Sequence, residues 1–232
     1  MNRMISKCSI VGAVVAALVI ASPAFAAPWS IPSGTATNFS YSNGGDVNGL
    51  FGDPLVSGDS FFFFASNFQA SAVNGGTDNV NDTVSFDVVA NPGKQFSQMM
   101  VTAFGSYNVL GPNSSVDINA TLQMVENAGL LRTFGPANLV TNPPFPVTSG
   151  NNSWNGQADI DVSFVFPSPS PDIHISLSTV LDAIAGIGGS AEGNLQFQSL
   201  EIQLITIPEP ASLALVALGG IALIARRRRR LA

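Results

Sequence analysis

The sequence predicts an all-β body, an antiparallel β-sandwich with a jelly roll as one candidate form. That body is set between a cleaved N-terminal signal peptide and a C-terminal single transmembrane segment. Three observations carry the prediction. Four segments alternate apolar and polar residues with period two. Clusters of glycine, asparagine and proline break the chain between them. Acidic charge dominates the middle, while the bases crowd at the two ends.

The first element is residues 1–26. Arg3 and Lys7 precede an uncharged apolar run from Cys8 to Ala21, and "SPAFA" follows with Ala24 and Ala26 in the small-x-small pattern. A charged start, an apolar middle and small residues before a cut describe a secretory signal, with signal peptidase cutting after Ala26. An uncleaved anchor is the alternative. Cys8 is the single cysteine and leaves with the signal, so the mature chain is expected to use neither disulfides nor thiol chemistry.

The second element is the body, residues 27–207. In "SVDINATLQM", Val116, Ile118, Ala120, Leu122 and Met124 share one face, and Asp117, Asn119, Thr121 and Gln123 the other. Val84, Phe86 and Val88 alternate in the same way, as do Ile160, Val162, Phe164 and Phe166, and Ile173, Ile175 and Leu177. These are strands with one wet face. "SFFFFA" at 60–65 does not alternate and reads as a strand buried on both faces. Leu195 and Phe197 have one parity, and Leu200, Ile202 and Leu204 the other, which places a β-bulge near Gln198–Ser199. The stretch 177–189 is the one candidate helix, with Leu177, Leu181 and Ile184 at helical spacing and "GIGG" as its cap. Breaks are expected at "SNGGD" (42–46), "VNGGT" (73–77), "GPNSS" (111–115), "NPPFP" (142–146) and "PSPSP" (167–171).

The body carries fourteen acids and two bases, Lys94 and Arg132, a net charge of −12 against −6 for the whole chain. Such a body does not bind nucleic acid or anionic lipid through charge.

The third element is the tail, residues 208–232. Ala211 to Ala225 is uncharged, with Ser212 its one polar side chain. As a helix it would reach about 22 Å, short of the roughly 30 Å of bilayer hydrocarbon. Arginine stems reaching to the interface can close the gap. Arg226, Arg227, Arg228, Arg229 and Arg230 form a cytoplasmic stop, which leaves the body outside. A permanent anchor and a temporary one both fit this topology.

Pro208-Glu209-Pro210, the short apolar run with Gly219 and Gly220, and the five arginines together resemble the PEP-CTERM sorting signal. The resemblance implies a Gram-negative bacterium that makes an exosortase and an extracellular polysaccharide. It implies transient anchoring in the inner membrane, recognition and cleavage near Pro208, Glu209 and Pro210, and release to the cell surface or matrix. It covers the tail alone and implies no fold and no activity for the body.

Catalytic and ligand motifs are sparse. Asp172, His174 and Ser176 share a strand face, but same-face neighbours lie about 6.6 Å apart, too far for a triad. "GIGGSA" at 186–191 matches Gly-x-Gly-x-x-Ala but leads into a strand pattern instead of a helix, so it reads as a turn. Asp159 and Asp161 have the spacing of solvent-facing strand acids as much as of a glycosidase pair. "DVNGLFGD" fails as a calcium loop in register and in its closing residue, leaving a looser site from Asp46, Asn48 and Asp53 as an option. No metal and no cofactor is expected. Trp154, in the polar "NNSWNGQ", is the candidate glycan contact, either as an exposed platform in a loop or as a ring that folds back over the sandwich end. The expected function is therefore that of an exported, non-enzymatic surface or matrix protein associated with exopolysaccharide or biofilm. A carbohydrate-binding module is the alternative, and a secreted hydrolase the third.

Overall fold

The computed structural model describes residues 27–65, 67–127, 132–161 and 172–208. The signal segment 1–26, the strand pattern 162–166, "PSPSP" and the tail beyond Pro208 lie outside the described residues.

Strands alone build the described chain. They are β1 (Ala27–Pro28), β2 (Gly34–Thr35), β3 (Phe39–Asp46), β4 (Leu55–Ser57), β5 (Ser60–Phe63), β6 (Gln69–Val73), β7 (Thr77–Ala90), β8 (Lys94–Leu110), β9 (Ser115–Glu126), β10 (Thr133–Asn138), β11 (Val140–Asn142), β12 (Gly150–Asp161), β13 (Asp172–Ile184) and β14 (Ser190–Pro208). Every pairing is antiparallel. Sheet A runs β1-β3-β7-β13-β9-β10 with β2 against β3, and sheet B runs β11-β12-β8-β14-β5-β4 with β6 against β14. The long strands β7, β8, β9, β12, β13 and β14 alternate between the sheets, so their connections cross the sandwich instead of forming hairpins.

The alternating segments fold as their period dictates. Val84, Phe86 and Val88 on β7, Ile173, Ile175 and Leu177 on β13, and Val116, Ile118, Ala120, Leu122 and Met124 on β9 are all buried between the sheets. Aromatic rings join the two layers. Phe61 of sheet B meets Phe86 at 4.5 Å, Tyr41 at 5.2 Å and Phe39 at 5.8 Å, all from sheet A. Trp29 closes this cluster against Phe86 and Phe63.

Three expectations need correction. The candidate helix over 177–189 is strand β13 as far as Ile184, paired with β7 on one side and β9 on the other. Its inward row is Ile173, Ile175, Leu177, Thr179, Leu181 and Ala183. Thr179 hides the alternation, because a hydroxyl occupies a core position, 2% exposed and with no hydrogen-bond partner. "SFFFFA" does form a strand, but it alternates: Phe61 and Phe63 are fully buried, Phe62 is half-buried and Phe64 is exposed. "SNGGD" does not end a strand. It is a bulge inside β3, with the register shifting between Ser42 and Gly45. Gly44 is needed there because a Cβ would strike the Trp29 indole.

The expected bulge in β14 is present and larger than a single residue. Leu195 pairs with Gly105 and Leu200 with Ala103, so four residues of β14 stand opposite Phe104 alone. Leu195 and Leu204 are both buried despite their odd separation. Among the described residues no helix is long and apolar enough to cross a membrane.

The inter-sheet ring cluster sets the first expected outcome. Phe61→Ala should cost about 3–5 kcal/mol in urea denaturation. Gly105→Ala should cost about 1–3 kcal/mol, because a Cβ there collides with the Asn194 carbonyl and the Trp154 ring. Wild-type stability for both variants would contradict this packing.

Candidate functional site

Of the sorting residues, Pro208 is within the described chain. It is the last residue of β14 and pairs with Lys94 at the start of β8. Glu209, Pro210, the span Ala211–Ala225, Arg226 to Arg230, Ala24 and Ala26 lie outside the described residues.

Trp154 is not an exposed platform. It lies on β12, not in a loop, opposite Gly105, and is 3% exposed. Its Nε1 donates to the Asn194 carbonyl at 3.3 Å. Phe145, from the "NPPFP" loop, packs edge-on against it at 5.7 Å and against Tyr107 at 6.0 Å. Trp29, Tyr41 and Tyr107 are buried as well. Asn151, Ser153, Asn155 and Gln157 belong to the outward parity of the same strand, while Asn152 shares the inward parity of Trp154 near the strand's start.

The carboxylates are largely engaged in holding backbone. Asp46 Oδ2 accepts from the Phe51 and Gly52 amides at 3.0 and 3.1 Å. Asp82 accepts from the amides of Asn48, Leu50 and Thr83 at 2.7–2.9 Å. Burial, reinforced by the neighbouring Asp82, raises the Asp46 pKa above its ordinary value, although the two backbone amides pull it down. Asp53 turns away to Ser30, accepting its amide at 2.7 Å and its hydroxyl at 2.5 Å. Asp46, Asn48 and Asp53 therefore do not converge on a calcium site. Among the described residues no group of three His, Cys, Asp or Glu side chains is arranged to hold a metal. Asp159 and Asp161 stand on the outward face of β12.

His174 pairs across the sheet instead of along its strand. Its Nδ1 lies 2.7 Å from Asp87 Oδ1, in register on β7, while Asp172 accepts from Asn127 Nδ2 at 2.9 Å. No triad forms among Asp172, His174 and Ser176. Asp87 also accepts from Asn43 at 2.6 Å and Asn127 at 3.1 Å. Desolvation alone would raise its pKa, but the bonds from Asn43, His174 and Asn127 together hold it below the ordinary value.

Sequence reasoning missed a polar depression on the outer face of sheet B. Its lining is Ser106, Tyr107, Asn108, Asn151, Glu192 and Asn194, and its volume is about 240 Å³. Register creates it: Asn151 faces Asn108, and Asn108 faces Glu192, in one row across β12, β8 and β14. Ser153, Ser106 and Asn194 form the next row. Asn194 Oδ1 accepts from the Ser106 hydroxyl at 3.0 Å, and Glu192 accepts from Gln69 at 2.7 Å. The alternation in "GSYNV" marks Ser106 and Asn108 as outward, but nothing in the linear sequence says which strands lie beside them.

The Asp87 network makes a pH-dependent contribution. A folded pKa below the unfolded one gives stability that is complete above the ordinary carboxylate value and lost as pH falls through the folded value. Asp87→Ala should cost about 1–3 kcal/mol near neutrality. The gap from wild type should shrink in acid, below the ordinary carboxylate range. Denaturation of both proteins across that range tests this, and a gap that does not change with pH would rule it out.

Among solved structures the chain is similar to TmCBM61 in complex with β-1,4-galactotriose, at 10% identity and a TM-score of 0.24, over 77% of this chain and 95% of that one. It is similar to the enzymatically active domain of tailspike protein 4 of bacteriophage CBA120, at 11% identity and a TM-score of 0.23, over 73% of this chain and 20% of that one. A loop-swap mutant of Necallimastix patriciarum Xyn11A matches at 12% identity and a TM-score of 0.22, over 75% of this chain and 94% of that one. Likeness at this level carries no argument about ligand or activity. No curated protein matches the chain. Residues 206–230 match the profile of the PEP-CTERM protein-sorting motif, so the chain carries that sorting signal directly at the end of β14.

Proposed function

We propose that this is an exported, non-enzymatic surface or matrix protein of a Gram-negative bacterium, sorted by an exosortase and associated with extracellular polysaccharide. The observation that carries the reading is the sorting motif at 206–230, at the end of a β-sandwich strand. Signal peptidase removes residues 1–26, and the tail then holds the body at the outer face of the inner membrane. The exosortase cuts near Pro208, Glu209 and Pro210 and releases the body to the surface. Two residues, Glu209 and Pro210, separate the end of β14 from the apolar run. Two residues reach at most about 7 Å, so an anchored body would sit close to the bilayer.

The body's own chemistry supports a structural role. Its one histidine is bonded to Asp87, and its buried acids Asp46 and Asp82 hold a loop in place. Carboxylates that accept backbone amides in this way are poorly placed to act as nucleophile or base.

Mass spectrometry of the surface form should show a chain that starts at Ala27 and ends near Pro208–Pro210. Replacing Pro208, Glu209 and Pro210 with alanine should leave the anchor intact and trap the protein in the inner membrane. Neutral residues at Arg226 to Arg230 should instead remove the stop and mislocalise uncut protein. A full-length tail in the mature fraction, unaffected by the alanine change, would decide for a permanent anchor.

A further inference from the structure

We propose that the depression on the outer face of sheet B, lined by Ser106, Asn108, Asn151, Glu192 and Asn194, binds a neutral polysaccharide. This rests on the reading of the body as a matrix protein and supplies that reading with a site.

The first support is what the site offers. A primary amide presents donors and an acceptor side by side, as neighbouring sugar hydroxyls do. Asn151, Asn108 and Glu192 stand in one row across three strands, with strand spacing of about 4.8 Å. The depression has about 240 Å³ of room. Phe104 stands two positions before Ser106 and four before Asn108 along β8, on the same outward face beyond the Ser153–Ser106–Asn194 row, and is 44% exposed. An exposed ring beside a row of amides gives the apolar face of a sugar somewhere to lie.

The second support is that two of these amides are free. Among the described residues the side chains of Asn108 and Asn151 make no hydrogen bond to the protein. On sheet A many outward polar groups bond to one another: Asn43, Asn127 and His174 to Asp87, Asn79 to Asp182, and Thr83 to Ser178. The pair on sheet B is left for something else.

The third support is elimination by chemistry. A peptide adding as a strand uses backbone groups along a sheet edge; the outer side of β12 is paired only at Asn155–Gln157, whereas the depression lies over the faces of β8 and β14, which are paired on both sides here. A metal needs more than the single carboxylate of Glu192. An anion needs a cation, but Lys94 lies at the opposite end of β8 and Arg132 is bound to Glu126 at 3.0 Å. Glu192 and a body charge of −12 repel acidic polysaccharides. A neutral polyhydroxyl chain satisfies the amides, tolerates the carboxylate and uses the ring.

The test is affinity electrophoresis of the protein purified from its own cells. Gels are cast with the neutral polysaccharide fraction of those cells' medium, or with alginate as the acidic comparator. Wild type should be retarded by the neutral fraction and not by alginate. Asn108→Ala and Asn151→Ala should each bind at least tenfold more weakly with unchanged melting temperature, since neither side chain bonds to the fold. Phe104→Ala should also weaken binding. No retardation of wild type, equal retardation of the asparagine variants, or preference for alginate would overturn the proposal. Protein trapped by the alanine change at Pro208–Pro210 should still bind. Normal sorting without binding therefore refutes this site alone, and binding with failed sorting refutes the sorting reading alone.

Discussion

The bulge in β14 is the constraint on which most of the body turns. Before it, β14 pairs with β6 through Ser190–Asn194; after it, with β5 through Leu200–Gln203. β8 accompanies it on the other side throughout. A strand that changes partners needs slack, and the four residues opposite Phe104 provide it. An odd shift also reverses which side chains face inward, which is how both Leu195 and Leu204 reach the core. The break frees the Asn194 carbonyl to accept the Trp154 indole, and that approach leaves no room for a Cβ at Gly105. The same segment carries Glu192 and Asn194 into the outer depression. One irregularity thus sets a core contact, a glycine requirement and the shape of a polar surface.

The ends of the sandwich are held by backbone-directed bonds, in a body without cysteine. At one end the turns 74–76, 111–114 and 185–189 lock together. The Gly75 amide donates to the Gly186 carbonyl at 3.0 Å, the Asn74 amide to the Gly189 carbonyl at 2.9 Å, and the Gly186 amide to the Ser114 hydroxyl at 3.0 Å. Gly186 approaches the Pro112 carbonyl too closely for any side chain. Elsewhere Asp46 and Asp82 collect the loop amides of Asn48, Leu50, Phe51 and Gly52, and Asp82 also that of Thr83 on β7. A buried amide left unpaired costs about 1–3 kcal/mol, so these carboxylates stabilise loops that lack a ladder of their own. That is a sufficient reason for acids to be buried in a body with two bases.

How much of this could be read in advance depended on whether a signal was local. The strands around Val84–Val88, Val116–Met124 and Ile173–Leu177 were legible, because period two needs no knowledge of neighbours. The shift in β14 was legible from parity, though not its size. The rest of β13 was not, because Thr179 puts a hydroxyl in the core row and the remaining leucines then imitate helical spacing. Trp154 left two readings open, and the buried ring is the one the structure shows: Ser153 and Asn155 are polar because they point outward, and the ring is buried because it points inward. The row Asn151, Asn108, Glu192 was illegible for a different reason. Its members are 43 and 84 residues apart along the chain and meet only through register.

The tail was legible because its information is one-dimensional, and the structure shows why body and tail can be separate instructions. β14 pairs with β8 as far as Pro208, opposite Lys94, and the sorting motif takes over within those last residues. A cut behind Pro208 removes no described rung of that ladder. The last residue of β14 described as buried is Leu204. Proline at 208 lacks an amide hydrogen and disfavours continuation of the strand. Every described rung between β8 and β14 therefore lies on the body's side of the motif's Glu209.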